Sequence, residues 1–232
     1  MPTTIKPTHS IEIKELLRIA EQTIKIKKDQ FLFQEGQAAE ELYLILSGKV
    51  QISKITSDGR ELALRICGLN DICGELTLFT DSPKYLLSAT VLEEGEVAVI
   101  KKEVLEKQIF QNSALAYEFM KWMSDHFRKT QTKFRDLVLN GKRGALFSTL
   151  IRMTNSYGIK KEDGILIDLP LTNQKLGDFC GTSRESTNRI LNDLKREGVI
   201  SFTRGKITVH NLQYLKNEID CENCPAVYCN IE

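Results

Sequence analysis

Three thiols stand close together near the end of the chain. Cys221, Cys224 and Cys229 form a Cys-x2-Cys-x4-Cys pattern within Asp220-Cys221-Glu222-Asn223-Cys224-Pro225-Ala226-Val227-Tyr228-Cys229. At this spacing all three can face one metal centre, and thiolates suit zinc or an iron–sulfur cluster. A [4Fe–4S] cube takes four ligands, usually cysteines. Three thiols would leave one iron open or held by another group, and so easier for oxygen to attack. Zinc completed by His210 is the competing chemistry. Ligand types alone do not choose between them. A disulfide within the tail fits poorly with a reducing compartment. Cys67, Cys73 and Cys180 lie in apolar or structural settings and read as small buried hydrophobes.

A second set of residues could read DNA. Ser183-Arg184-Glu185 is followed by Asn188 and Arg189, with Ile190, Leu191 and Leu194 further along. A helix built this way keeps its first turns polar and anchors its later turns in a core. Arginine can fork onto guanine O6 and N7, and glutamate can accept from cytosine N4. Ser183 and Thr187 could hold phosphates. The surrounding residues 172–216 carry eight Lys/Arg against four acids. Residues 217–232 reverse this, with four acids and no Lys or Arg.

These groups need a scaffold. A capped helix from Thr172, a tight turn at Gly181-Thr182-Ser183, the helix at 184–197 and a hairpin at 200–209 make a winged helix-turn-helix. It is preceded by an amphipathic helix at 145–157 and a short strand at 165–169. Further back, residues 112–140 carry no Pro or Gly and place Leu115, Phe119, Trp122, Met123, His126, Phe134 and Leu137 near helical spacing. Such a helix spans about 40 Å, and its apolar stripe is a candidate dimer seam. The first half reads as β. Phe31-Leu32-Phe33, residues 42–46, 50–55, 62–66 and 97–100 are short strands punctuated by Gly36, Gly48, Gly59, Gly68 and Gly74. That pattern predicts a small antiparallel barrel or jelly roll. The expected fold is therefore α+β, with four parts: a β-barrel at 1–110, a dimerisation helix at 111–141, a winged helix-turn-helix at 142–216 and a cysteine-rich tail at 217–232.

Composition narrows the function class. The 232 residues are 41% hydrophobic and 27% charged, with a net charge of +1, which reads as a soluble globular chain. No run approaches the roughly 18 apolar residues of a membrane span. Residues 1–10 are polar and lack an apolar signal core, so the expected location is cytoplasmic. His9, His126 and His210 sit in no nucleophile or general-base arrangement, so no enzyme is expected.

The run Thr182-Ser183-Arg184-Glu185-x3-Arg189-x-Leu191-x2-Leu194-x3-Gly198-x-Ile200, together with Gly48, Gly74-Glu75-Leu76 and Ser88-Ala89-Thr90, resembles the CRP/FNR superfamily of transcription regulators. The likeness covers nearly the whole chain. It implies a cyclic-nucleotide-binding-like domain, a homodimer, a TGTGA-type palindrome read by Ser183, Arg184, Glu185, Asn188 and Arg189, and RNA polymerase as a partner. Members that bind cyclic nucleotides carry an arginine where Leu87 stands here, which argues against cAMP although Glu75 remains. The C-terminal cysteines resemble the Bacillus-type FNR branch. By that resemblance Cys221, Cys224, Cys229 and Asp136 would hold one [4Fe–4S] cluster per subunit, with Asp125 and Asp220 as weaker candidates for the fourth ligand. The implied role is an oxygen-responsive regulator, mainly an activator of nitrate respiration and fermentation genes. In it, the cluster ties the tail to the end of the long helix until oxygen breaks it.

Overall fold

The computed structural model describes residues 13–81 and 83–231. His9 and the polar stretch 1–10 lie outside the described residues. The chain forms two compact units that divide within one helix, residues 13–124 in one and 125–231 in the other.

The first unit runs α1 (Ile13–Ile19), β1 (Gln22–Ile26), β2 (Phe31–Phe33), β3 (Glu41–Ile55), β4 (Glu61–Cys67), β5 (Ile72–Cys73), a single 3-10 turn (Glu75–Thr77), β6 (Ser88–Lys101), α2 (Lys102–Gln111) and the start of α3 (Ser113–Leu139). Its antiparallel sheet has the order β1-β6-β3-β4, with β2 also on β6 and β5 also on β3. The sheet is jelly-roll-like and does not close into a barrel.

Two stretches expected as separate strands, 42–46 and 50–55, are one strand, β3. The break predicted at Ser47-Gly48 is a kink within it. Gly48 has φ +85°, and a Cβ there would meet the Glu93 carbonyl oxygen at 2.6 Å, so only glycine allows the strands this close. Alternation along β3 then supplies two cores. Tyr43, Ile45, Val50 and Ile52 face one, with Phe33, Tyr85, Cys67 and Cys73. Leu42 and Leu44 face the other, with Leu16, Ile100 and Leu105.

Leu115, Phe119 and Trp122 are buried in that second core, with Met123 packed against it. They therefore do not form the free seam expected of them. Helical spacing identifies apolar stripes but not which stripe meets the helix's own domain. A different stripe of α3 is exposed: Tyr117, Met120, Ser124, Phe127, Gln131, Phe134 and Val138. Their steps alternate three and four residues, the heptad pattern of a helix pair. Phe134 alone of the five expected seam residues belongs to it.

The second unit contains the rest of α3, then α4 (Gly141–Tyr157), β7 (Gly158–Lys161), β8 (Gly164–Ile167), α5 (Asn173–Cys180), α6 (Arg184–Arg196), β9 (Ile200–Thr203), β10 (Lys206–Val209) and α7 (Leu212–Asn217). The sheet order is β7-β8-β10-β9, all antiparallel. Helix α4 is not amphipathic as expected, because residues 144–154 are buried without interruption. The last residues pack against this helix, and Ile231 is buried. Helices α1, α2 and α7 and strands β1 and β7 had no clear signal. Helix α2, for example, buries only Lys102 and Leu105, so it shows no apolar stripe.

Candidate nucleic-acid interface and metal centre

Helices α5 and α6 begin on side-chain caps. The Thr172 hydroxyl accepts from the Lys175 amide at 3.2 Å, and the Ser183 hydroxyl accepts from the Ser186 amide at 3.3 Å. Each cap satisfies an amide that the first helical turn leaves unpaired. Between them, Gly181 adopts the left-handed conformation that ends α5. Gly177 brings the helices together, since a Cβ there would meet the Thr182 carbonyl oxygen at 2.7 Å.

This framing presents Ser183, Arg184, Glu185, Asn188 and Arg189, all exposed. Their spacing puts the last four on one face of α6. Ile190, Leu191 and Leu194 are buried on the other. Thr187 is also buried, and its hydroxyl donates to the Ser183 carbonyl, so it cannot hold a phosphate as expected. The Glu185 carboxyl is held below its usual range by its own backbone amide, then by Ser183 and Arg184. It is therefore an ionised acceptor, as contact with cytosine N4 requires. The wing turns at Arg204 and Gly205, both at positive φ. His210 lies on this wing, with Nδ1 2.6 Å from the Asp163 carbonyl oxygen and Nε2 2.8 Å from the Ser201 hydroxyl.

The same unit contains a cavity of about 200 Å³ walled by Cys221, Cys224, Cys229, Asp136 and Asp220, with Arg135, Ser148 and Arg152. Asp125 and His210 do not line it. Three elements build it: the last turns of α3, one face of α4 and the tail. Asp136 is buried, and both its oxygens are engaged. Oδ2 accepts from Ser148 Oγ at 2.6 Å and Arg152 Nη2 at 2.7 Å. Oδ1 accepts from Arg135 Nε at 3.1 Å and Nη2 at 2.9 Å. Burial alone would raise the Asp136 pKa, but Ser148, Arg152 and Arg135 outweigh it and hold the carboxyl below its usual range.

The tail is held by main-chain contacts. Arg152 Nη1 donates to the Tyr228 carbonyl at 3.2 Å, Asn155 Nδ2 to the Cys229 carbonyl at 2.6 Å, and the Ile231 amide to Ser156 Oγ at 2.9 Å. The loop carrying Cys221 and Cys224 has Asp220 and Asn223 at positive φ. Arg135 pairs with Glu222 and lies 4.0 Å from Cys224 Sγ. Burial raises the Cys229 thiol above its usual range, against a pull downwards from Arg152. The roles of Ser148, Arg152 and Asn155 were missed from sequence. A lone arginine amid the apolar residues of α4 was the available signal.

Three sulfurs and a carboxylate around one space are a plausible donor set for a metal group. The cavity is many times the roughly 10–15 Å³ that one water needs. Among the described residues no three of His, Cys, Asp and Glu form a ready-made single-ion site.

The first unit has a contrasting pocket. It is about 20 Å³ and is lined by Phe33, Ile52, Leu76, Tyr85, Leu86, Leu87 and Glu75, among others. The Glu75 carboxylate is buried and accepts from Arg65 Nη2 at 2.8 Å.

Known proteins match both units. Residues 23–112 match the cyclic nucleotide-binding domain family, and residues 145–218 match the Crp-like helix-turn-helix domain family. The chain is 58% identical over 224 residues to the "Anaerobic regulatory protein" of Bacillus subtilis, covering 96% of this chain and 94% of that one. It is 30% identical to the "Lactate racemization regulatory protein" of Lactiplantibacillus plantarum, covering 85% and 90%. Among solved structures, the c-di-GMP-responsive global regulator CLP of Xanthomonas campestris aligns with TM-score 0.75 at 24% identity, over 85% of this chain and 97% of that one.

Proposed function

Because the chain belongs to the CRP/FNR family of transcription regulators, we propose that it is an oxygen-responsive, DNA-binding regulator of anaerobic metabolism, not an enzyme. Its expected work is mainly activation of nitrate respiration and fermentation genes, with RNA polymerase as partner. The observation that carries the sensing half is the gathering of Cys221, Cys224, Cys229 and Asp136 around one cavity. The Bacillus relative, by its name an anaerobic regulator, supports the same reading.

The DNA half rests on α6. Arg184, Glu185, Asn188 and Arg189 are positioned to reach base edges in the major groove, and Ser183 can meet the phosphate backbone beside its capping role. A homodimer formed along α3 would present two such helices to a TGTGA-type palindrome. The seam we propose is the exposed heptad stripe with Met120, Phe127, Phe134 and Val138, in place of Leu115, Phe119 and Trp122.

The residues fit a [4Fe–4S] cluster, one per subunit, held by Cys221, Cys224, Cys229 and Asp136. Such a cluster would supply an oxygen-labile bond between the end of α3 and the tail. Helix α4 underlies both the tail and α5, so a change at the tail has a packed route to the DNA-reading helices. Zinc is the poorer reading. A single zinc draws its ligands to about 2.0–2.3 Å, and His210 is engaged on the wing instead. Cyclic nucleotide is also the poorer reading for the first unit. Leu87 offers a phosphate no charge, Glu75 is already paired with Arg65, and the pocket has room for about one water. No helix among the described residues is long and apolar enough to cross a membrane, which agrees with a cytoplasmic regulator.

The test is metal and acid-labile sulfide analysis of protein purified without oxygen, followed by DNA binding before and after air. About four iron and four sulfide per chain, a visible band bleached by air, and palindrome binding that falls with it are expected. One zinc, no colour and binding indifferent to oxygen would overturn the sensor reading and leave a DNA-binding protein with a metal-stapled tail.

A further inference from the structure

Arg152 is 1% exposed within a helix whose neighbours are buried. A buried guanidinium is tolerated only when its donors are matched. Here Nη2 reaches Asp136 Oδ2, Nε reaches Ser148 Oγ at 3.3 Å, and Nη1 reaches the Tyr228 carbonyl. One side chain therefore holds the carboxylate on α3 and the tail beside Cys229. Ser148, Arg152, Asn155 and Ser156 share one face of α4 at helical spacing. Together they grip Asp136 and the main chain of residues 228–231. None of these contacts consumes a thiol.

The two oxygens of Asp136 are held differently. Oδ2 is fixed by Ser148 and Arg152, both buried and both on α4. Among the described residues Oδ1 is held by Arg135, whose side chain is 34% exposed and which already has a second partner in Glu222. Arg135 can give up Oδ1 and keep Glu222. Arg152 has no comparable exchange.

We infer that Arg152 is the positioning residue of this site. It fixes Asp136 through Oδ2 and docks the third-cysteine end of the tail, leaving Oδ1 as the oxygen offered to metal, with Arg135 as its exchangeable counter-ion. The inference rests on the cluster reading above. Asp136, Asp220 and Glu222 line the cavity with the three thiols, and Arg135 and Arg152 are the cations that wall it.

The experiment uses the full-length chain, loaded with iron and sulfide without oxygen. It compares wild type with Arg152→Gln, Arg152→Lys, Arg135→Gln and Asn155→Ala. The readouts are the Mössbauer signature of one iron site distinct from the thiolate-bound ones, the midpoint potential, and amide exchange over residues 226–231. Arg152→Gln should lose the distinct site, shift the potential downwards because a nearby positive charge is gone, and speed tail exchange about tenfold, as expected for losing a hydrogen bond. Arg152→Lys keeps the charge but not the fork. It should retain the potential and still lose the distinct site. Arg135→Gln should keep the distinct site, and Asn155→Ala should speed tail exchange with the iron spectrum unchanged.

Wild-type iron spectra in both Arg152 variants would overturn the inference while leaving the cluster reading intact. If Arg152→Gln does not fold, Arg152→Lys decides by itself. Wild-type protein that takes up no iron–sulfur group would overturn the cluster reading and this inference with it.

Discussion

Two cavities among the described residues differ in the chemistry of their walls. The pocket of the β unit is about 20 Å³, lined mainly by Phe33, Ile52, Leu76, Tyr85, Leu86 and Leu87, with its one carboxylate already paired. The cavity under the tail is about 200 Å³ and adds three thiols, three carboxylates and two arginines to the apolar Leu139, Ile151 and Ile219. Apolar side chains fill space by packing on one another and leave little for a charged ligand. Charged and sulfur-bearing side chains must be held apart by hydrogen bonds, and the space they enclose can take an ionic group. The β unit matches the cyclic nucleotide-binding domain family, while the thiol-lined cavity lies at the other end of the chain.

The largest expected effect that sharpens this contrast is in the tail. Cys224→Ser should abolish iron loading and, with it, the oxygen dependence of DNA binding, read by metal analysis and binding assays in parallel. Retained iron at the wild-type level would break the contrast. In the β unit the effect should be on stability alone. Phe33 stacks on Tyr85 with ring centroids 4.0 Å apart, and Phe33→Ala should cost about 3–5 kcal/mol of unfolding free energy. Calorimetry on this variant should detect no cAMP binding, because enlarging the pocket supplies no partner for a phosphate. Tight cAMP binding would show that the pocket was merely closed.

A smaller effect separates DNA reading from the cavity. Arg189→Ala should weaken binding to the palindrome by about 1–3 kcal/mol and leave iron content unchanged. Equal weakening on every sequence would reassign Arg189 to the phosphate backbone. The smallest effect is at the rim of the tail. Glu222 is well exposed where it pairs with Arg135, so Glu222→Gln should alter thermal stability by no more than about 1 kcal/mol. A larger loss would mean that the outer ion pair, and not the α4 face, docks the tail.

Helix α3 carries the same lesson within one element. Phe119 and Phe127 lie about two turns apart, yet one is core and the other is exposed. Both satisfy helical periodicity. Phe119 is buried because its unit places Leu42, Leu44 and Ile100, far away in sequence, in the same core.

The amino-acid sequence by itself determined the local features. The cap at Thr172, the tight turn at Gly181-Thr182-Ser183, the polar first turns of α6 and the wing all follow from short-range backbone and side-chain chemistry, and each appears where it was expected; the cap at Ser183 was not foreseen. The Cys-x2-Cys-x4-Cys spacing was equally local. The tertiary structure decided what depends on residues distant in the chain. It joined two predicted strands through Gly48, because the opposing Glu93 carbonyl leaves no room for a Cβ. It turned α4 into a buried helix, and on α3 it buried Leu115, Phe119 and Trp122 while leaving Met120 and Phe127 exposed beside the expected Phe134. It also set Asp136 between Arg135, Ser148 and Arg152 beside the tail cysteines. The sequence shows Arg135 beside Asp136 but gives no signal for Ser148 and Arg152, because these come from another helix and are fixed only when the two pack.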